Sequence, residues 1–178
     1  DCNFDKIILR DPRAEMTWTK VKLEAEDAAF VDGPVHPWGE LKVEDIAMSW
    51  GDVDGKWVSG FNNNIDAYIE FTYTAAADCQ ADLILRLNKR SVQTVFSDWV
   101  DTVVTYADGS TQTVAGNVTI EAMENAGLQW KGDALTEIDL GTIQLKKGEN
   151  KIRFTTKAYD TTNDVGGYNY DYIMLNLK

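Results

Sequence analysis

The chain has 178 residues, 44% of them hydrophobic, with a net charge of −12 and a pI near 4.4. That length and apolar content suit one domain with a substantial core. The acidic balance argues against nucleic acid as a partner, because phosphate binding needs clustered Lys and Arg, and no run approaches the roughly 18–20 apolar residues of a membrane helix.

The chain opens Asp1-Cys2-Asn3-Phe4-Asp5-Lys6, without the basic-then-apolar order of a signal peptide. Residues 1–15 read as an extension and 16–178 as a single domain. Cys2 and Cys79 are the only thiols. They permit one bridge, of the kind that suits an exported protein. A buried, unpaired Cys79 and a lipid-bearing Cys2 are the alternatives. The one histidine, His36, sits between Pro34 and Pro37 and reads as a turn residue, not as a catalytic base or metal ligand.

Taken in order, the predicted elements are strands almost throughout. Residues 17–26 alternate, with Val21, Leu23 and Ala25 on one face and Lys20, Lys22, Glu24 and Glu26 on the other. Residues 39–50 fit neither the strand nor the helix period and are a candidate helix. Residues 66–75 alternate again, with Ala67, Ile69, Phe71 and Tyr73 on one face. Residues 81–90 place Leu83, Leu85 and Leu87 together, and residues 91–101 look like loop material. In 101–114, two β-rich runs flank Asp108-Gly109, a dipeptide favoured in hairpin turns. Residues 118–127 end in Asn125-Ala126-Gly127, a plausible short helix with a glycine stop. Residues 137–158 read as two strands joined by Lys146-Lys147-Gly148-Glu149-Asn150, and 168–178 as a last strand with Ile173, Leu175 and Leu177 inward. The sum predicts an all-β fold, an antiparallel β-sandwich of jelly-roll type.

Glu24 and Glu26 would stand side by side on the first strand and repel. Asp171 on the last strand is an acid between Tyr170 and Tyr172, badly placed unless its charge is compensated. A jelly roll often sets its first and last strands side by side, which would bring the three together. A calcium ion would neutralise all three, since Ca²⁺ takes about six to eight oxygens and prefers carboxylates. Such an ion would be structural and would clamp the two ends of the domain.

Three short motifs occur in order: Glu24-Ala25-Glu26, Gly148-Glu149-Asn150-Lys151-Ile152 and Asn169-Tyr170-Asp171-Tyr172-Ile173. Together they resemble the family 6 and family 35 group of carbohydrate-binding modules. The resemblance implies a calcium-containing β-jelly roll with Glu24, Glu26 and Asp171 as ligands. It also implies a sugar site among the loops at one end of the sandwich, which by motif match falls on Trp57 or Trp50, on Trp130 and on Asn169, with Tyr168 beside it. Exposed aromatic rings there would stack on sugar C–H faces while the amide hydrogen-bonds hydroxyls. The middle of the chain and residues 1–15 depart from the family pattern. The expected function is therefore non-catalytic binding of a polysaccharide or oligosaccharide, in an extracellular or cell-surface setting, as a monomer or as one module of a larger chain. The competing readings are a lyase or glycoside hydrolase on the same fold, and an adhesion sandwich without sugar binding.

Overall fold

Leu83, Leu85 and Leu87 alternate with Ile84 and Arg86, and all three leucines are completely buried. Each such side chain, taken out of water, contributes roughly 1.5–3 kcal/mol. The same period-two burial recurs along the chain, in a computed structural model that describes residues 19–34, 40–45, 55–61, 64–89, 94–120, 135–157 and 168–178.

The strands are β1 (Thr19–Glu24), β2 (Ala29–Val31), β3 (Lys42–Asp45), β4 (Lys56–Ser59), β5 (Tyr68–Ala75), β6 (Cys79–Lys89) and β7 (Thr94–Val95). They continue as β8 (Val100–Tyr106), β9 (Thr111–Val114), β10 (Thr119–Ile120), β11 (Leu135–Leu145), β12 (Gly148–Thr156) and β13 (Tyr168–Leu177). A 3-10 turn, Ala25–Asp27, joins β1 to β2, and a single helical turn, α1 (Phe96–Trp99), joins β7 to β8.

One sheet runs β11-β6-β13, with β4 and then β3 continuing beyond β13; β1 also pairs with β13. The other runs β2-β5-β12-β8-β9, and β7 with β10 forms a small separate pair. All pairings are antiparallel, and the first strand lies against the last, as expected. The fold is an antiparallel β-sandwich of jelly-roll type. Its core interleaves Leu83, Leu85, Leu87, Ile173 and Leu175 with Ile69, Phe71, Val104, Ile152 and Phe154. Aromatic rings chain through it from Phe61 to Tyr170 (4.7 Å), Phe154 (5.8 Å) and Phe96 (6.3 Å).

The Asp108-Gly109 hairpin is present, closing β8 onto β9 with Thr105 opposite Thr111. Four residues, Ala107 to Ser110, join the strands, with Gly109 at φ +80°, a conformation that glycine adopts without strain. The two strands flanking Lys146-Lys147 are also present, but they lie in different sheets. That turn is therefore a corner between layers, not a hairpin.

Two expectations need correction. Residues 39–50 were a candidate helix, yet Lys42–Asp45 is a strand, held in the β3–β4 ladder; residues 46–50 lie outside the described set. The candidate helix at 118–127 begins as strand β10, with the rest outside the described residues. The one α-helical turn among the described residues, α1, falls where loop was expected. Four residues are too few to show a helical period, and what fixes the turn is burial of the Phe96 ring against Phe154 and Tyr168. The 15/16 boundary and Cys2 lie outside the described residues. Cys79 is a free thiol, half-buried against the core.

Candidate functional site

Glu24, Glu26 and Asp171 lie near where two strands share one edge of β13. β1 covers Tyr172 to Leu177, and β4 takes over at Tyr170, opposite Val58. Between them, on the β6 side, the register slips: Tyr170 opposes Leu87 and Tyr172 opposes Arg86, leaving Asp171 as the extra residue of a β-bulge. A bulge re-aims the side chain it carries. It lets Tyr168 and Tyr170 face inward before it and Ile173 and Leu175 after it.

Glu24 ends β1 directly opposite Tyr172. The expected two-residue strand repeat does not continue to Glu26. The chain leaves the strand after Glu24 because Ala25 inserts completely into the core, and the 3-10 turn that follows carries it across to the other sheet. Glu26 stands on that turn, with Oε2 buried and without a hydrogen-bond partner.

Asp171 is 4% exposed. Burial pushes its carboxyl up to about 6 from an ordinary 3.8, Arg86 and Lys22 pull it down, and Glu24 and Glu26 push it further up. The Asp171 carboxyl therefore feels both glutamates. Two basic groups also attend the three acids. The Arg86 guanidinium lies 3.1 Å from Asp171 Oδ2, and Lys22 Nζ lies 2.7 Å from Glu24 Oε1. Among the described residues, no group of three or more His, Cys, Asp and Glu side chains stands close enough together to hold a metal ion. The donor chemistry nevertheless fits a hard cation: carboxylates only, two of them with a buried oxygen that accepts no hydrogen bond.

Beside this junction, where β2 stops pairing with β5 after Glu70, the sandwich opens in a cleft of about 330 Å³. Leu23 and Phe71 line it together with Lys22, Glu24 and Asp27.

The other candidate region is the end of the sandwich where β13 begins. Asn169 is half-exposed there, opposite Asn88 of β6, which in turn stands opposite Leu135 of β11. Lys89, Leu135 and Tyr168 thus bring the flanks of segments 90–93, 121–134 and 158–167 to the same end. Trp130 belongs to the second of these and lies outside the described residues, as does Trp50.

Two expected ring platforms are corrected. Trp57 is on strand β4, not in a loop, and is only 2% exposed. Val58 beside it joins the core, so Trp57 takes the opposite side of the strand, next to Glu44. Although burial works against the Glu44 carboxylate, hydrogen bonds from Lys42, Ser59 and Trp57 and the charge of Lys42 hold its pKa below the usual value. Tyr168 is 5% exposed, its ring packed 5.4 Å from Phe96. Neither ring offers a face to a sugar.

Sequence reasoning missed Arg86. Its signal was weak: Arg86 falls on the outward face of β6 among Gln80, Asp82, Ile84 and Asn88. Only the structure shows that Arg86, opposite Tyr172 across β6 and β13, reaches Asp171 beside the bulge.

No protein-family profile and no curated protein sequence matches the chain. Solved structures do. A family 35 carbohydrate-binding module from Clostridium thermocellum aligns with 88% of this chain and 97% of its own length, at 21% identity and a TM-score of 0.59. The family 35 module of Abf62 from Cellvibrio japonicus aligns with 88% of this chain and 92% of its own, at 14% identity and a TM-score of 0.55. The fold is that of a family 35 carbohydrate-binding module. The Podospora anserina GH26-CBM35 β-(1,4)-mannanase also matches, at 21% identity and a TM-score of 0.59. There 89% of this chain aligns, but it spans only 28% of the mannanase.

Proposed function

We propose that this chain is a non-catalytic carbohydrate-binding module, taking a polysaccharide or oligosaccharide at the end of the sandwich where β13 begins. The observation that carries the reading is the near end-to-end alignment with a free-standing family 35 module. It is supported by the placement of half-exposed Asn169 beside the flanks of the segment that holds Trp130. Trp130 and Trp50 are the proposed stacking rings and Asn169 the proposed hydrogen-bonding amide. With few rings and few hydrogen bonds, the affinity would be modest. An exported setting, next to an attached catalytic domain, follows from the same reading.

A structural calcium belongs to the proposal. Glu24, Glu26 and Asp171 would hold it. It would neutralise three mutually repelling carboxylates and tie the 3-10 turn to the bulge of β13, so binding would stabilise the folded state. Chelation is then expected to lower the melting temperature, and a melting curve unmoved by chelator would remove the ion from the account.

Incubation with a panel of polysaccharides tests the function. Retention without cleavage supports the module, whereas release of oligosaccharides identifies an enzyme. Loss of retention in Trp130→Ala and Asn169→Ala variants would locate the site, and undiminished retention in both would move it elsewhere.

A further inference from the structure

We infer, resting on the calcium reading above, that Arg86 is an internal counter-cation that competes with calcium for Asp171 and so sets the affinity of that site. The Arg86 guanidinium lies 3.1 Å from Asp171 Oδ2. Asp171 is 4% exposed, so water does little to neutralise it and a neighbouring cation must. A calcium ion bound to that carboxylate at roughly 2.3–2.6 Å would stand against the guanidinium, and two positive groups on one buried carboxylate repel.

Arg86 also has somewhere to go. Glu137 of β11 stands directly opposite it on one side and Tyr172 of β13 on the other. The guanidinium lies 5.5 Å from the centre of the Tyr172 ring, and the Tyr172 hydroxyl donates to Glu137 Oε1 across the row. Turning from Asp171 toward Glu137 would exchange one carboxylate partner for another, without leaving a buried charge unpaired. Lys22 is a weaker competitor for the same acids. Its pair with Glu24 is at the surface, with the lysine side chain 44% exposed, and water can accept the displaced ammonium at little cost.

The test is calcium titration by calorimetry on the full chain, after chelation and dialysis, for the wild type, Arg86→Gln and Glu137→Gln. Arg86→Gln is expected to bind calcium at least tenfold more tightly than the wild type, while melting at a lower temperature in chelator. Glu137→Gln removes the alternative carboxylate and is expected to bind calcium several-fold more weakly. If the wild type binds calcium and Arg86→Gln binds it no more tightly, the inference on Arg86 is overturned and the calcium site stands. If neither binds calcium, both fall. Should Arg86→Gln refuse to fold in chelator, Glu137→Gln decides: unchanged or tighter calcium binding in that variant overturns the role given to Arg86.

Discussion

Asn150 and Lys146 are tied to each other through the Asn150 amide. The Lys146 N–H donates to Oδ1 at 2.9 Å, and Nδ2 donates back to the Lys146 carbonyl at 2.8 Å. The same Nδ2 reaches the Gly148 carbonyl at 2.8 Å. Asn150 is completely buried, at the corner where the chain leaves one sheet for the other, and Gly148 turns that corner at φ +99°. The side chain supplies hydrogen bonds that neither sheet provides. Asn150→Ala would strand buried backbone groups at about 1–3 kcal/mol each. The expected loss is about 2–4 kcal/mol of unfolding free energy in urea. A loss below about 1 kcal/mol would show that backbone pairing alone holds the corner.

Tyr170 makes the opposite case. It is fully buried, and its hydroxyl has no hydrogen-bond partner among the described residues. Burial pushes its pKa well above 10, so the group stays neutral. Its ring already packs edge-on to Phe61 at 4.7 Å. Tyr170→Phe keeps that ring and removes the orphan hydroxyl, so stability is expected to rise by about 1 kcal/mol. Destabilisation in urea or on heating would mean that the hydroxyl is bonded after all.

These two residues mark how far the sequence could be read. Period-two alternation located β1, β5, β6 and β13 and their inward faces, because burial on one side of a sheet imposes that period directly. It could not show that Lys146-Lys147 turns a corner between sheets into β12, since alternation is blind to which sheet a strand joins. It also could not show the bulge at Asp171, which changes which residues face inward within one strand. Trp57 looked like a loop aromatic because it neighbours turn-forming residues, and Tyr168 was expected at the very start of the last strand, beside Gly166-Gly167. Both are buried on strands, and a strand position decides burial more firmly than sequence neighbours do. Arg86 comes within reach of Asp171 only because pairing of distant strands sets it opposite Tyr172, beside the bulge, which one sequence does not state.

Burial separates packing aromatics from binding ones. Trp57, 2% exposed on β4, is expected to act on stability alone. Trp57→Ala should cost about 3–5 kcal/mol. Trp57→Phe, which keeps most of the volume, should leave retention on a bound polysaccharide unchanged. Trp130→Ala should do the reverse, weakening retention about tenfold or more, as loss of a stacking ring implies. Affinity electrophoresis paired with melting curves on the three variants separates the two behaviours. Loss of retention in a folded Trp57→Phe variant would return that indole to the sugar site.

The carboxyl of Asp171 gives the apo protein a pH signature of defined sign. Burial raises its pKa from 3.8 to about 6, so the folded state binds this proton more tightly than the unfolded chain. Its stabilising contribution is therefore complete below about pH 3.8 and is lost as the pH rises through about 6. The swing is on the order of 3 kcal/mol, from about 1.4 kcal/mol per pKa unit. Other carboxyls titrate across the same range, so the informative quantity is the difference from Asp171→Asn. In chelator, wild type minus variant stability is expected to fall by roughly that amount between pH 4 and pH 7. Adding calcium at pH 7 should restore stability to the wild type and not to the variant, because the ion binds the ionised carboxylate. Urea denaturation at a series of pH values measures both, and parallel curves for the two proteins would show that Asp171 is solvated, unpaired with its neighbours and no part of a cation site.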